Sequence, residues 1–234
     1  MSIVENITQI RERIRLAAQR AGHNPEAVTL MAVSKTFPPE SIRVAYDAGI
    51  RVFGENRVQE FAGKAEVLRN LTDARWHMIG HLQTNKAVKA AELFHAVDSV
   101  DSFKLAEKLN DAACKYGKKL DVLLEVNIGG EAAKSGLTPN SPELENLLSS
   151  AVRFERLQIS GLMTIPPYTD DPQAGRIYFR KLRALRDQIA ARNLPSISMA
   201  ALSMGMSHDF EVAIEEGSTC VRVGTAIFGK REKD

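Results

Sequence analysis

Apolar positions along the chain follow two rhythms. Residues 2–21 carry Ile3, Ile7, Ile10 and Ile14 at helical spacing among charged neighbours, which predicts an amphipathic helix stopped by Gly22. The next segment, Val28-Thr29-Leu30-Met31-Ala32-Val33, is continuously apolar or β-branched, as a strand buried on both faces would be. Short runs of this kind recur at 50–53, 75–79, 93–97, 120–126, 157–163, 197–202 and 219–223. Helical patterns separate them at 39–48, 58–68, 84–91, 101–116, 141–152, 173–191 and 209–216. Strands alternating with helices through short loops predict a parallel sheet. Eight such units at this length predict a single α/β domain over 1–234, a closed (β/α)8 TIM barrel with an extra N-terminal helix. A doubly wound open sheet is the alternative, and it would leave two edges exposed.

Composition narrows the function classes. The 234 residues are 44% hydrophobic and 26% charged, with a net charge of +2 and no basic block, so nucleic acid is not an expected partner. No apolar run approaches the ~20 residues of a membrane span. Cys114 and Cys220 lie far apart and imply no disulfide framework. The charged opening helix is unlike a signal peptide, and a reducing cytoplasm is the expected location.

In a barrel of this type, chemistry gathers at the C-terminal ends of the strands. Lys35 falls at the end of the first strand. Burial there disfavours the ammonium, and a neutral amine can condense with an aldehyde. A lysine resting its stem over a strand end is the structural alternative. The ends of strands seven and eight, Ser203 to Ser207 and Arg222 to Thr225, concentrate small and hydroxyl residues, which suits an anion cradle. Ser207 as a helix cap and Gly224 as a turn glycine are the plainer readings. Arg222, flanked by valines and in phase with Gly224, is expected to face the barrel interior, where a carboxylate partner is the structural alternative. His77 and His81 share the spacing of a zinc helix, but Gly80 lies between them and the glutamate of that motif is missing, so no metal site is expected.

Several segments together resemble one family. AVSKT at 32–36, FGENRVQE at 53–60, WHMIGHLQTNK at 76–86, KSG at 134–136, GLMTI at 161–165, LSMGMSHDFEVAI at 202–214 and VRVGTAIFG at 221–229 are similar to the pyridoxal phosphate homeostasis proteins (YggS/PROSC type). The resemblance spans nearly the whole chain and implies the alanine racemase-like barrel of fold type III. It implies that Lys35 holds pyridoxal 5′-phosphate (PLP) as a Schiff base. Ser207, Gly224 and Thr225 would bind the phosphate, and Arg222 would meet the pyridine nitrogen. Asn56, His77, Ser203 and Met204 would line the pocket. Phe37 and His81 stand where some relatives carry lysine and proline, and neither is among the implied ligands.

Racemases built on this barrel use a second acid/base, a tyrosine from a further domain. The chain ends at FGKREKD just past strand eight, so that domain is expected to be absent; of the tyrosines, only Tyr168 falls near a strand end. The expected function is therefore PLP homeostasis by a cytoplasmic monomer that buffers or carries the aldehyde, with PLP-dependent enzymes lacking their cofactor as possible recipients. A small amino-acid racemase is the alternative, and a partner-binding module using PLP only structurally is a third. Lys134, in the loop after strand five, is a weaker candidate for a second transfer amine.

Overall fold

The computed structural model describes residues 1–131 and 134–229; the 230–234 part of the terminal FGKREKD stretch lies outside them. The opening helix α1 (Ile3–Arg20) starts at a capping box, in which Ser2 Oγ accepts from Glu5 N and Glu5 accepts from Ser2 N. Gly22, at φ +69°, follows its end.

Eight parallel strands close in sequence order: β1 (Thr29–Val33), β2 (Val52–Glu55), β3 (Arg75–Met78), β4 (Ala96–Val100), β5 (Leu120–Glu125), β6 (Leu157–Met163), β7 (Ile197–Met206) and β8 (Cys220–Val223). β1 pairs with both β2 and β8, so the expected barrel forms and no edge remains. The helices between strands are α2 (Pro39–Asp47), α3 (Val58–Ala65), α4 (Ala87–Leu93), α5 (Phe103–Lys115), α6 (Pro142–Ser150), α7 (Arg176–Ala191) and α8 (Phe210–Glu215), with a short α9 (Thr225–Phe228) after β8.

Alternation along the strands sorts side chains into two cores. Ala32, Phe53, Trp76, Val97, Leu202, Met204, Val221 and Val223 join the large core shared with the helices. Trp76 stacks on Phe53 at 5.0 Å and meets Phe61 of α3 at 4.7 Å. The barrel interior has a smaller apolar cluster of Met31, Val33 and Ile79.

Two strands depart from the sequence expectation. β4 begins at Ala96 and carries Asp98 and Ser99 within it, where 93–97 was expected. Polar residues that face a barrel interior interrupt the apolar run by which a buried strand is recognised. β7 likewise runs on to Met206, so Ser203 and Met204 lie inside the strand rather than in the loop beyond it. Around β6, Ser160 is skipped in the pairing on both sides, and a Cβ on Gly161 would lie 1.9 Å from Ala201 O. The bulge and the missing side chain together let β6 and β7 close. No helix among the described residues is long and apolar enough to cross a membrane.

Candidate functional site

At the C-terminal mouth of the barrel lies a cavity of about 490 Å³, lined by Lys35, Asn56, Ser207, Arg222, Gly224 and Thr225 among others. Six of the nine residues singled out from sequence thus meet in one space.

Lys35 occupies a tight turn after β1 whose flanking residues are both tied down. Ser34 N donates to Gly54 O at 3.0 Å, and Ser34 Oγ donates to Glu55 Oε1 at 2.7 Å. Lys64 Nζ, from α3, donates to Ser34 O at 3.2 Å and to Glu55 Oε1 at 3.2 Å. On the other side Thr36 N donates to Glu60 Oε1 at 2.5 Å, and Lys64 also reaches that carboxylate at 2.7 Å. Thr36 sits at φ +66°, a conformation a non-glycine residue keeps only when its surroundings enforce it. Glu55 is fully buried, and burial pushes its carboxyl above the usual range, against the pull of Lys64 and Ser34.

Arg222 is 4% exposed. Its Nη1 donates to Ser203 Oγ at 2.7 Å and its Nη2 to Thr164 O at 2.8 Å. Its hydrogen-bond partners are thus a hydroxyl and a carbonyl, rather than a carboxylate. Burial pushes the guanidinium below its ordinary value, opposed by the fields of Asp98, Asp209 and Glu125, and an arginine so placed keeps its charge. Ser207 follows β7, and its Oγ accepts from Ala226 N at 3.4 Å, which links that strand end to α9. A Cβ on Gly224 would come within 3.4 Å of Val33, so the chain runs close to β1 here.

The other three residues stand elsewhere. Ser203 is buried beneath Arg222 and acts on it, not on the cavity wall. Met204 is fully buried in the helix-facing core; its expected place in the pocket is corrected by strand alternation, which turns it away from Ser203. His77 lines a different cavity at the opposite end of the barrel, its Nδ1 3.0 Å from Asp98 Oδ1. It sits low in β3, whereas Ile79 and Gly80 reach the mouth.

Sequence reasoning passed over Glu125, which also lines the mouth. It is 7% exposed; Oε1 accepts from Ser135 Oγ at 3.3 Å, and Oε2 has no hydrogen-bond partner. Burial, then the nearby Asp101, push its carboxyl above the usual range. The signal was a carboxylate at the C-terminal end of the apolar run LDVLLEV, in phase with Leu123 and Asp121 on the interior. Asn127, just past that strand, braces the following loop by donating Nδ2 to Glu131 O at 2.9 Å. Lys134 pairs there with Glu131 and lines a separate recess beside Glu125. Tyr168 does reach the mouth, 76% exposed, with its ring 5.5 Å from that of His208. No group of three or more His, Cys, Asp or Glu able to hold a metal occurs among the described residues.

The donor set fits a phosphorylated aromatic aldehyde: the Lys35 amine, the hydroxyls of Ser207 and Thr225 and the buried Arg222 guanidinium line one cavity. Comparison with known proteins points the same way. Residues 6–232 match the family model for the alanine racemase N-terminal domain. A protein of Aquifex aeolicus named pyridoxal phosphate homeostasis protein is 46% identical over 99% of this chain and 100% of its own length. One of the same name from Escherichia coli K12 is 41% identical over 98% of this chain and 97% of its own. The chain belongs to the pyridoxal phosphate homeostasis protein family. PipY of Synechococcus elongatus has been solved with PLP bound; it is 37% identical, covers 97% of this chain and 100% of its own, and superposes with a TM-score of 0.85. Alanine racemase of Clostridium difficile, 14% identical at TM-score 0.72, covers 98% of this chain and 58% of its own, and shares the fold.

Proposed function

We propose that this chain binds PLP at the barrel mouth through Lys35 Nζ and serves PLP homeostasis by holding and releasing the reactive aldehyde. The observation that carries the reading is the meeting of Lys35, Arg222, Ser207, Gly224 and Thr225 in one cavity. The family relationship supports the cofactor class.

Bound there, PLP supplies an aldehyde carbon open to amines and a ring that can spread negative charge. Lys35 provides the attacking nitrogen from a turn fixed on both sides. Ser207 and Thr225 offer hydroxyls, and the chain at Gly224 offers close backbone approach, to the phosphate. Arg222 offers the ring nitrogen a hydrogen bond but no proton, since a guanidinium keeps its own. Charge withdrawal into the ring is thereby restrained, which suits exchange between amines better than chemistry at an amino-acid Cα. Ser203 aims Arg222, and Asn56 walls the cavity. The reading extends to a cytoplasmic monomer whose recipients are PLP-dependent enzymes awaiting their cofactor.

The test is borohydride reduction after incubation with PLP, followed by intact mass and peptide mapping. A single adduct on the Lys35 peptide, lost in Lys35→Ala, is expected; no mass gain, or an adduct unchanged in that variant, overturns the reading. Ser207→Ala with Thr225→Val should weaken PLP at least tenfold while leaving pyridoxal, which lacks the phosphate, little affected.

Tyr168 on the mouth favours amino-acid racemisation as the second reading. Incorporation of solvent deuterium at the Cα of an amino acid, abolished by Tyr168→Phe, would establish it. Transfer of PLP to a cofactor-free enzyme faster than release into solution would favour the carrier.

A further inference from the structure

The barrel has a second cavity, at the N-terminal ends of its strands, of about 330 Å³. That volume falls in the range of small-molecule sites. Asp98 of β4 lines it with its side chain only 1% exposed. One carboxylate oxygen, Oδ1, stands 3.0 Å from His77 Nδ1, and the other, Oδ2, has no hydrogen-bond partner. A buried carboxylate oxygen left in this state costs free energy until a donor reaches it. The remaining polar groups around it do not supply one. Arg75 and Asp121 at the rim face each other at 3.5 Å. Cys220, its pKa pushed up to about 12 chiefly by burial, keeps its proton and carries only a weak S–H donor, which makes no hydrogen bond to Oδ2. Val52, Ala96, Leu123 and Ala201 make much of the rest of the wall apolar. A metal ion is a poor match, because no trio of ligating side chains converges among the described residues.

We propose that this floor cavity is a second ligand site, which takes a small organic cation of the ammonium or amidinium type with an apolar body, held through Asp98. The charged head donates to Oδ2, which is worth more than a neutral hydrogen bond because the donor carries a full charge. The body covers Val52, Ala96 and Leu123. Asp98 is also among the carboxylates whose field supports the charge on Arg222, so a cation seated below reduces that support at the mouth. The site stands on the floor residues alone and does not depend on what the mouth binds.

Benzamidinium is the probe, because a primary amine would also react with an aldehyde. It is titrated into the full chain with backbone amide resonances as the readout, alongside benzamide, its neutral counterpart. Saturable shifts confined to β4, the start of β8 and their neighbours are expected, with benzamide at least tenfold weaker. Asp98→Asn should weaken benzamidinium at least tenfold. If that variant fails to fold, Ala201→Leu, which fills the cavity and keeps the carboxylate, should abolish the shifts. Absence of saturable binding, which would mean a cavity that holds only water, overturns the proposal. So do shifts located at the mouth, equal binding of benzamide, and binding unchanged in either folded variant.

Discussion

Lys64 is an ammonium with 11% side-chain exposure that faces the fully buried Glu55 and also grips Ser34 O beside Lys35. Lys64→Met strands the Glu55 carboxylate and should cost about 3–5 kcal/mol, read as a shift in the denaturant midpoint. Lys64→Met combined with Glu55→Gln should recover much of that loss; single costs that simply add would show that the pair is not coupled. Glu125 poses a different test, because its folded-state pKa is raised by burial. The folded chain keeps that proton longer than the unfolded chain. Its favourable contribution is therefore complete below the usual glutamate pKa, about 4.3, and is lost as pH rises through the folded value. Glu125→Gln removes the titration, so its stability relative to the natural chain should be higher at pH 7 than at pH 4. A gap that stays constant with pH would count against a raised pKa. At this scale the sequence exposed Lys35 and Arg222, whose charge stands out beside apolar neighbours. It hid the network under Lys35, since Ser34, Glu55, Glu60 and Lys64 look like ordinary polar residues until α3 folds over the β1 turn.

Elements were legible wherever apolar runs stayed unbroken, as in β1, β5 and β6. β4 and β7 were misread at their ends because the barrel interior accepts Asp98, Ser99 and Ser203, and the run stops looking buried at those points. The same strand alternation could have removed Met204 from the site, since it is in phase with Leu202 and out of phase with Ser203. Gly205 shows what the glycine in SMGMS does. At φ +93° it adopts a backbone conformation that side chains resist, and an added Cβ would lie 2.5 Å from Ala213 Cβ and 3.0 Å from Phe210 Cα. It lets α8 pack against the end of β7 and so sets where Ser207 emerges. Gly205→Ala should cost about 2 kcal/mol or more. It should also weaken PLP more than pyridoxal, because the displaced strand end carries Ser207, the proposed phosphate ligand. Equal weakening of the two ligands would show that Gly205 serves stability alone.

Across the whole molecule, the first helix and the last are joined. Asn6 Nδ2 donates to Ile227 O at 2.9 Å, and Arg13 pairs with Glu211 of α8 at 3.0 Å. The buried stripe of α1, Ile7, Ile10, Ile14, Ala17 and Ala18, belongs to the same core as Phe210 and Ile227. That stripe was plain in the isoleucine spacing, but the surface it covers was not, because nothing in local pattern links residue 6 to residue 227. Thr225 opens α9, so one wall of the mouth is held from behind by the opposite end of the chain. Ile10 is 2% exposed, and Ile10→Ala should cost about 2–5 kcal/mol through lost burial and the cavity left behind. If α1 is integral to the barrel, far-ultraviolet circular dichroism and the absorbance of bound PLP should be lost at one lowered denaturant midpoint. If α1 were an appendage, the absorbance midpoint would keep its original value while only part of the helical signal moved. Coincident loss would place the integrity of the mouth under the control of a helix that lines none of that cavity.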